Sequence, residues 1–238
     1  MNQDNKGFTL IELMLAMTFI AVLLVAIAIT TIQISAIYNK GITLREVNQA
    51  GRAISDEIQR SISSAVPFDV TPKLDASPAT ETSKYVVRDG GGRLCLGRYT
   101  YVWNYGRAIT SNSFYNKYST GSGVDAAVRF AKVTDPGGDL CAQPAVSINR
   151  ADASEMLTSG DRDLVVHALT VTNGATDATT GQAIYAVSIV IGTNDSEQLA
   201  TNDRSCRPPA DGAGKQDYCS VNQFDIIARA GNKSGSDK

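Results

Sequence analysis

The sequence predicts an α+β fold, in which one long amino-terminal α-helix packs on an antiparallel β-sheet formed by the rest of the chain. Three observations support this prediction: an apolar run over residues 7–29, an amphipathic stretch after it, and short runs rich in β-branched and aromatic residues from residue 85 onward. Apolar residues that recur every three or four positions indicate a helix, whereas short β-branched runs indicate strands.

Residues 8–34 form the first predicted element, an apolar helix without proline or glycine. At about 1.5 Å per residue, this helix is long enough to cross the ~30 Å hydrocarbon core of a bilayer. A secretory signal is cut after its apolar region. Here the polar leader, residues 1–7, ends at Gly7 before Phe8. The only obvious processing point therefore precedes the apolar run, and cleavage there would leave the helix on the mature chain.

Glu12 is the only charged residue in this helix. An acidic side chain costs about 2.5–3.5 kcal/mol at the centre of a membrane helix and less near its end. Two interpretations stay open. Glu12 either lies shallow enough to reach the headgroups or stay protonated, or it pairs with the α-amino group that cleavage would create on Phe8 of a neighbouring subunit.

The residues at the start of the run resemble the class III leader and amino-terminal helix of type IV pilins and type II secretion pseudopilins. The resemblance rests on Gly7, Phe8, Thr9, Leu10, Ile11 and Glu12, with the apolar helix behind them. It implies the pilin fold, cleavage after Gly7 by a prepilin peptidase, N-methylation of Phe8, and a role for Glu12 in filament assembly. The partners it implies are other pilins or pseudopilins, the peptidase, a pilus assembly platform protein and a motor ATPase.

Residues 35–66 are predicted to form the amphipathic half of the same helix. Its apolar stripe consists of Leu44, Val47, Gly51, Ile54, Ile58 and Ile62. Pro67 is expected to end the helix, because proline lacks an N–H for the helical ladder. A continuous helix over residues 8–66 would be about 88 Å long, with Gly41 as its most favourable point for a bend. Residues 50–58 are similar to the second half of the first helix of J-type pseudopilins and W-type minor pilins.

Residues 67–238 are predicted to form a β-rich head with disulfide loops. Residues 67–84, rich in proline, alanine, serine and threonine, read as a connecting loop. The strands of a single antiparallel sheet are expected over residues 85–88, 94–103, 126–133, 164–172, 183–191 and 223–228. Gly90, Gly91 and Gly92 indicate a hairpin turn between the first two strands.

One predicted strand carries alternating aromatic residues, Tyr99, Tyr101, Trp103 and Tyr105. Alternate residues of a strand share one face. We expect this face to be packed in the core. The alternative is an exposed adhesive patch, since aromatic side chains suit carbohydrate or protein contacts.

The four cysteines allow three disulfide connectivities. An apolar anchor would place the head outside the cytoplasm, where disulfides are the default. We favour Cys95 with Cys141 and Cys206 with Cys219, because the second pair would close a short loop that has little capacity to form a core. A zinc site is the competing interpretation, but the chain has no short CxxC pair. The Cys206–Cys219 loop resembles the variable disulfide loop of many pilins.

The sequence offers little that an enzyme could use, and we predict no catalytic residue, no cofactor, no small-molecule substrate and no metal. His167 is the only histidine and is expected in the core or at a strand edge. Phosphate-loop, nucleophile-elbow and paired-histidine motifs are absent from the sequence. Loop oxygens that calcium could use are on Asp161 and Asp163, or on Asn194, Asp195 and Glu197, but neither set fits an EF-hand.

A formal charge of −2 argues against a dedicated nucleic-acid binder. The one conceivable basic patch consists of Arg88, Arg93 and Arg98.

These observations and the resemblance predict a minor pilin, a structural subunit of a type IV filament. It would be held in the cytoplasmic membrane by a single span, with its head outside, and would reach a cell-surface filament after assembly. A type II secretion pseudopilin is the alternative within the class. A membrane-anchored binding protein that enters no filament is the alternative outside it.

Overall fold

A computed structural model describes residues 9–70, 84–119, 126–157, 162–208 and 218–231. Gly7, Phe8 and the rest of the leader lie outside the described residues. So do Asp161, most of the connecting loop and the middle of the Cys206–Cys219 loop.

Helix α1 spans Leu10–Ser64 and is the longest element of the chain. It continues without interruption through Gly41, the residue at which the sequence suggested a bend. Ala65 ends it in an extended conformation, and its N–H bonds to the Ile62 carbonyl 3.0 Å away. The helix thus stops shortly before Pro67, as expected, because the proline disfavours helical geometry in the residue before it. By length and composition, α1 is the one described helix that could cross a membrane.

The head contains eleven described strands and one further short helix. In chain order these are β1 Tyr85–Arg88, β2 Gly91–Leu96, β3 Tyr99–Asn104, α2 Gly106–Thr110, β4 Asn116–Ser119, β5 Ala126–Ala127, β6 Phe130–Thr134, β7 Val146–Asn149, β8 Ala153–Glu155, β9 Leu164–Thr176, β10 Ala183–Thr193 and β11 Val221–Ala230. Two 3₁₀ turns, Asp139–Ala142 and Arg150–Asp152, flank β7.

The strands form three sheets instead of the single sheet predicted. Sheet I has the order β1-β2-β3-β6-β8, sheet II the order β11-β10-β9, and sheet III the order β5-β4-β7. All pairings between the described strands are antiparallel except that of β4 with β7. The α+β class is confirmed. The number of sheets was wrong because alternation within a strand does not reveal which distant strand will pair with it.

Two predicted strands are also divided. Residues 94–103 contain the end of β2, a turn at Gly97 and Arg98, and β3, while residues 126–133 are divided between β5 and β6. The first hairpin turns at Asp89 and Gly90, whereas Gly91 and Gly92 belong to β2. A Cβ on Gly91 would lie 2.2 Å from the Trp103 carbonyl oxygen, so this glycine serves close strand packing.

The main hydrophobic core lies between α1, sheet I and sheet II. Its buried side chains include Val47, Ile54, Ile58, Ile62, Leu94, Tyr101, Trp103, Phe130, Leu169, Val187 and Ile189. A second core involves the other side chains of sheet I together with sheet III. It consists of Val102, Tyr118, Val128, Ala131, Val133, Val146 and Ile148. Sheet I is thus covered on both faces, and the face in the main core packs against the second half of α1.

Candidate functional site

The amino-terminal half of α1 is the most unusual surface of the molecule. From Leu10 to Tyr38 its large apolar side chains are exposed, with Leu10 77%, Phe19 67% and Ile34 66% exposed. Soluble proteins rarely expose apolar patches of this extent. Residues 10–38 therefore form a surface that is suited to lipid or to other helices, and we call it the apolar half of α1.

Glu12 lies at the start of the apolar half, in a capping box with Thr9. The Thr9 hydroxyl and backbone N–H donate to Glu12 Oε2 at 2.8 and 2.9 Å, while the Glu12 N–H donates to the Thr9 hydroxyl at 3.3 Å. This reciprocal arrangement satisfies two N–H groups that a helix start leaves unpaired. A carboxylate at this end also complements the helix dipole. The proposed partner of Glu12, the Phe8 amine, lies outside the described residues.

The second half of α1 binds the head through an apolar stripe. Val47, Ile54, Ile58 and Ile62 are fully buried, as predicted, whereas Leu44 is 48% exposed. The buried stripe is displaced at that end, where Thr43 is fully buried instead. At Gly51 the helix meets sheet II: a Cβ there would lie 2.1 Å from Cε2 of Phe224. Gly51 thus provides the space into which the Phe224 ring packs.

A polar cluster joins α1 to sheet I, and the sequence did not reveal it. Lys132 donates to Glu57 Oε1 at 2.6 Å, and the Tyr101 hydroxyl donates to the same oxygen at 3.1 Å. Ser61 Oγ lies 2.5 Å from the Tyr101 hydroxyl oxygen. The Lys132 hydrogen bond holds the pKa of Glu57 below its usual range, and burial raises the pKa of Tyr101. We call Glu57, Ser61, Tyr101 and Lys132 the helix–sheet cluster.

The aromatic strand is part of the core. Tyr101 and Trp103 are fully buried, and the Trp103 ring stacks near Phe130 with centroids 6.4 Å apart. The expectation of a packed aromatic face is therefore met, and β3 offers no exposed adhesive patch.

The cysteines form the two disulfides that the sequence favoured, Cys95–Cys141 and Cys206–Cys219. The first joins β2 to the turn at Asp139–Ala142. Next to the second, the Tyr218 hydroxyl accepts a hydrogen bond from Asn39 Nδ2 at 3.1 Å. This contact places the second disulfide against α1, at the boundary between the apolar half and the head.

His167 is largely buried at a bulge of β9, and its Nε2 lies 3.1 Å from the Thr193 carbonyl oxygen. Burial lowers the pKa of the imidazole. The ring lines a cleft of about 770 Å³ between β1 and β9, which we call the β1–β9 cleft. The hydrogen-bond partner of the imidazole is thus a main-chain carbonyl, which is not a nucleophile that the ring could activate.

The conceivable basic patch does not form. Arg93 is fully buried and donates to the carbonyl oxygens of Leu140, Gln143 and Pro144. Burial lowers the pKa of its guanidinium to about 10. Arg98 lies over the Tyr99 ring. The three arginines therefore share no common surface, and Arg93 has a structural role that its sequence position did not suggest.

Two of the loop carboxylates considered for calcium, those of Asp163 and Asp195, are engaged by protein donors. Asp163 pairs with Arg129, and Asp195 accepts from the side chain of Gln198 at 2.5 Å and the N–H of Glu197 at 3.0 Å. Asn194 Oδ1 accepts from the Thr110 hydroxyl at 3.3 Å. Across the described ranges, no group of three or more His, Cys, Asp or Glu side chains is placed to hold a metal ion.

Comparisons with models of known protein families, with curated proteins and with solved structures gave no match for this chain.

Proposed function

We propose that this chain is a minor pilin, a structural subunit of a type IV pilus or a related filament. The observation that carries the proposal is the apolar half of α1, a capped helix with exposed apolar side chains and one acidic residue three positions after the cap. A membrane anchor needs the apolar surface. It does not need Glu12, whose charge opposes insertion.

The proposed mechanism is transfer of α1 from lipid to a bundle of sibling helices. A prepilin peptidase removes residues 1–7, and the head stays on the outer side of the cytoplasmic membrane. Lipid tails and neighbouring helices are both apolar, so helix association gains little from the hydrophobic effect. Packing and polar contacts must then fix the register between subunits. The pair between Glu12 and the Phe8 amine of a neighbour would provide such a contact.

The energy for extracting α1 from the membrane must come from another component of the assembly machinery. The sequence has no nucleotide-binding loop, so a cytoplasmic motor ATPase acting through a platform protein would supply the energy. Within the same class, a type II secretion pseudopilin would use the same helix and processing. Residues 50–58 are similar to both J-type pseudopilins and W-type minor pilins, so this similarity does not distinguish the two functions, and the proposal includes both.

A second candidate is a membrane-anchored binding protein that enters no filament. The observation that favours it is the β1–β9 cleft, a concave surface of about 770 Å³ on the head. Such an anchor would have no need for cleavage after Gly7.

The experiment that tests the proposal is intact mass and amino-terminal sequencing of the protein recovered from cells, with wild type and Gly7→Val in parallel. A pilin or pseudopilin should begin at methylated Phe8 in the wild type and keep residues 1–7 in the variant. If both proteins begin at Met1, or both are cut after the apolar run, the filament proposal fails and the anchored binding protein takes its place.

A further inference from the structure

Sheet II has two edge strands, β11 and β9, and they differ in what covers their outer side. The β11 edge is covered by α1: the Gln59 side-chain amide donates to the Ile227 carbonyl at 3.0 Å, and Asn222 donates to Asn48 at 2.6 Å. Covering an edge in this way prevents pairing with other chains. The other edge is β9, which forms one wall of the β1–β9 cleft.

Among the described residues, the outer side of β9 is paired only at the start of the strand. Val166 forms a parallel bridge with Tyr105, and the chain then leaves the edge as α2. Between bulges near His167 and Gly174, residues 168–173 form a regular stretch that is paired with β10 on its inner side. Every residue from 167 to 173 lines the cleft. We call residues 168–173 the open edge.

Tyr85 shows which backbone groups of the open edge point outward. Its hydroxyl donates to the Leu169 carbonyl at 2.8 Å and accepts from the Val171 N–H. Because N–H and C=O groups alternate along a strand, those of Asn173 also point away from β10. Apart from the two groups bound by Tyr85, the outward groups of Leu169, Val171 and Asn173 have no hydrogen-bond partner among the described residues.

The geometry at Tyr85 also indicates a strand direction. In parallel pairing, one residue of the added strand bonds to the carbonyl of one residue and to the N–H of the residue two positions later. The Tyr85 hydroxyl takes this position between Leu169 and Val171. The existing bridge at Val166 is parallel as well. A strand that continued along the open edge in the direction set by Tyr105 would therefore run parallel to β9.

The charges of the cleft favour a neutral main chain over an anionic or cationic ligand. Residues 168–173 contain no charged residue and no proline, the features that usually protect an edge. The cleft is lined by three arginines and three aspartates: Arg88, Arg107, Arg204, Asp69, Asp89 and Asp203. These charges balance, and the hydrogen-bonding groups of the open edge match those of an extended peptide.

We propose that the open edge accepts an extended segment from the head of another filament subunit, added as a parallel strand next to β9. This inference rests on the proposed filament function. Main-chain hydrogen bonds would supply the affinity, as in other cases of β-strand addition. The added strand would displace the Tyr85 hydroxyl or begin beyond it, at the Val171 carbonyl and the Asn173 N–H.

The test is amide hydrogen exchange of residues 168–173, compared between the isolated full-length protein in detergent and filaments sheared from cells that produce it. The amides of Leu169 and Asn173 should exchange at least ten-fold more slowly in filaments. The inward amide of Thr172 is the internal control, because it is already paired with β10 and should change less. Equal exchange at Leu169 and Asn173 in both samples, or protection already present in the isolated protein, overturns the proposal.

A matched pair of proline variants gives a second readout. Asn173→Pro removes an outward N–H that β10 does not use, whereas Ala178→Pro places proline in the exposed turn of the same hairpin. At equal cellular amounts, Asn173→Pro should reduce this chain in sheared filaments at least ten-fold and Ala178→Pro should not. Equal incorporation contradicts strand addition. If Asn173→Pro does not accumulate in cells, the exchange measurement on wild type decides. If wild type itself is absent from filaments, the proposed function fails instead.

Discussion

Glu57 on α1 and Lys132 on β6 form an ion pair that joins the helix to sheet I, with Oε1 2.6 Å from Nζ. Both side chains are largely enclosed, with exposed fractions of 21% and 26%. The Lys132 ammonium also lies 3.8 Å from the centroid of the Tyr99 ring. Polar contacts of this kind help to fix the orientation of α1 on sheet I, since apolar packing alone is not directional.

This pair predicts a pH-dependent contribution to stability. Hydrogen bonding to Lys132 lowers the pKa of Glu57 in the folded protein, so the pair stabilises above the ordinary glutamate pKa of about 4.3. The contribution disappears as the pH falls through the lower folded-state value. Glu57→Gln should cost about 1–2 kcal/mol near pH 7. Urea unfolding can be followed by Trp103, the only tryptophan, which is fully buried.

The control for this prediction is Asp56→Asn, which removes the same charge from the neighbouring exposed position. It should change stability by less than about 0.5 kcal/mol. The difference between wild type and Glu57→Gln should shrink steadily below pH 4.3 or so. A difference that stays constant to pH 3 would show that the lost stability comes from packing and not from the carboxylate charge.

The packing of the Phe224 ring against Gly51 predicts that substitutions at these two positions have non-additive effects on the free energy of unfolding. Gly51→Ala should destabilise by about 1–3 kcal/mol, because the new methyl group would displace the Phe224 ring. With the ring removed in Phe224→Ala, the same substitution should instead stabilise by about 1 kcal/mol, the helix propensity gained over glycine. A double-mutant cycle in urea measures the sign change. Destabilisation of equal size in both backgrounds would contradict the role of Gly51 as the space for this ring.

The helix and its buried stripe could be predicted from sequence because both depend on local periodicity. Val47, Ile54, Ile58 and Ile62 all face the core, and only the end of the stripe at Leu44 was misplaced. At that end the helix turns Thr43 toward the head, and Thr43 is fully buried, so the apolar period alone does not locate the buried face there. Short-range signals also gave strand β1 at its observed bounds.

The sheets and the polar contacts could not be predicted because they depend on distant partners. Arg93 reads as a surface residue, yet carbonyl groups 47 to 51 positions later bind it in the core. Glu57 lies on the polar side of the helical wheel and meets Lys132 only through the placement of β6. The open edge of β9 likewise could not be predicted, because the sequence does not show which strands stay unpaired.

The two disulfides should differ in their contribution to stability. The chain-entropy relation predicts about 4 kcal/mol for Cys95–Cys141 and about 3 kcal/mol for Cys206–Cys219, because their separations are 46 and 13 residues. The paired serine variants, Cys95→Ser with Cys141→Ser and Cys206→Ser with Cys219→Ser, can be compared by urea unfolding. The reverse order of stability would show that strain or residual unfolded structure outweighs loop length.

Glu12 allows a test that separates helix capping from filament assembly. If its only role is to cap α1, Glu12→Gln should have little effect, because glutamine at this position also completes a capping box. Thr9→Val instead removes the N-cap hydroxyl, at a cost of about 1 kcal/mol to the helix. If Glu12 pairs with a neighbouring subunit, Glu12→Gln should reduce incorporation into sheared filaments at least ten-fold, while Thr9→Val keeps the carboxylate and most of the incorporation. Membrane insertion should persist in both variants, because a neutral side chain is less costly in lipid.

Glu46→Gln makes the same chemical change on α1 outside the apolar half and should assemble normally. Equal incorporation of Glu12→Gln and wild type would remove the assembly role from Glu12 and leave the capping box as its full explanation.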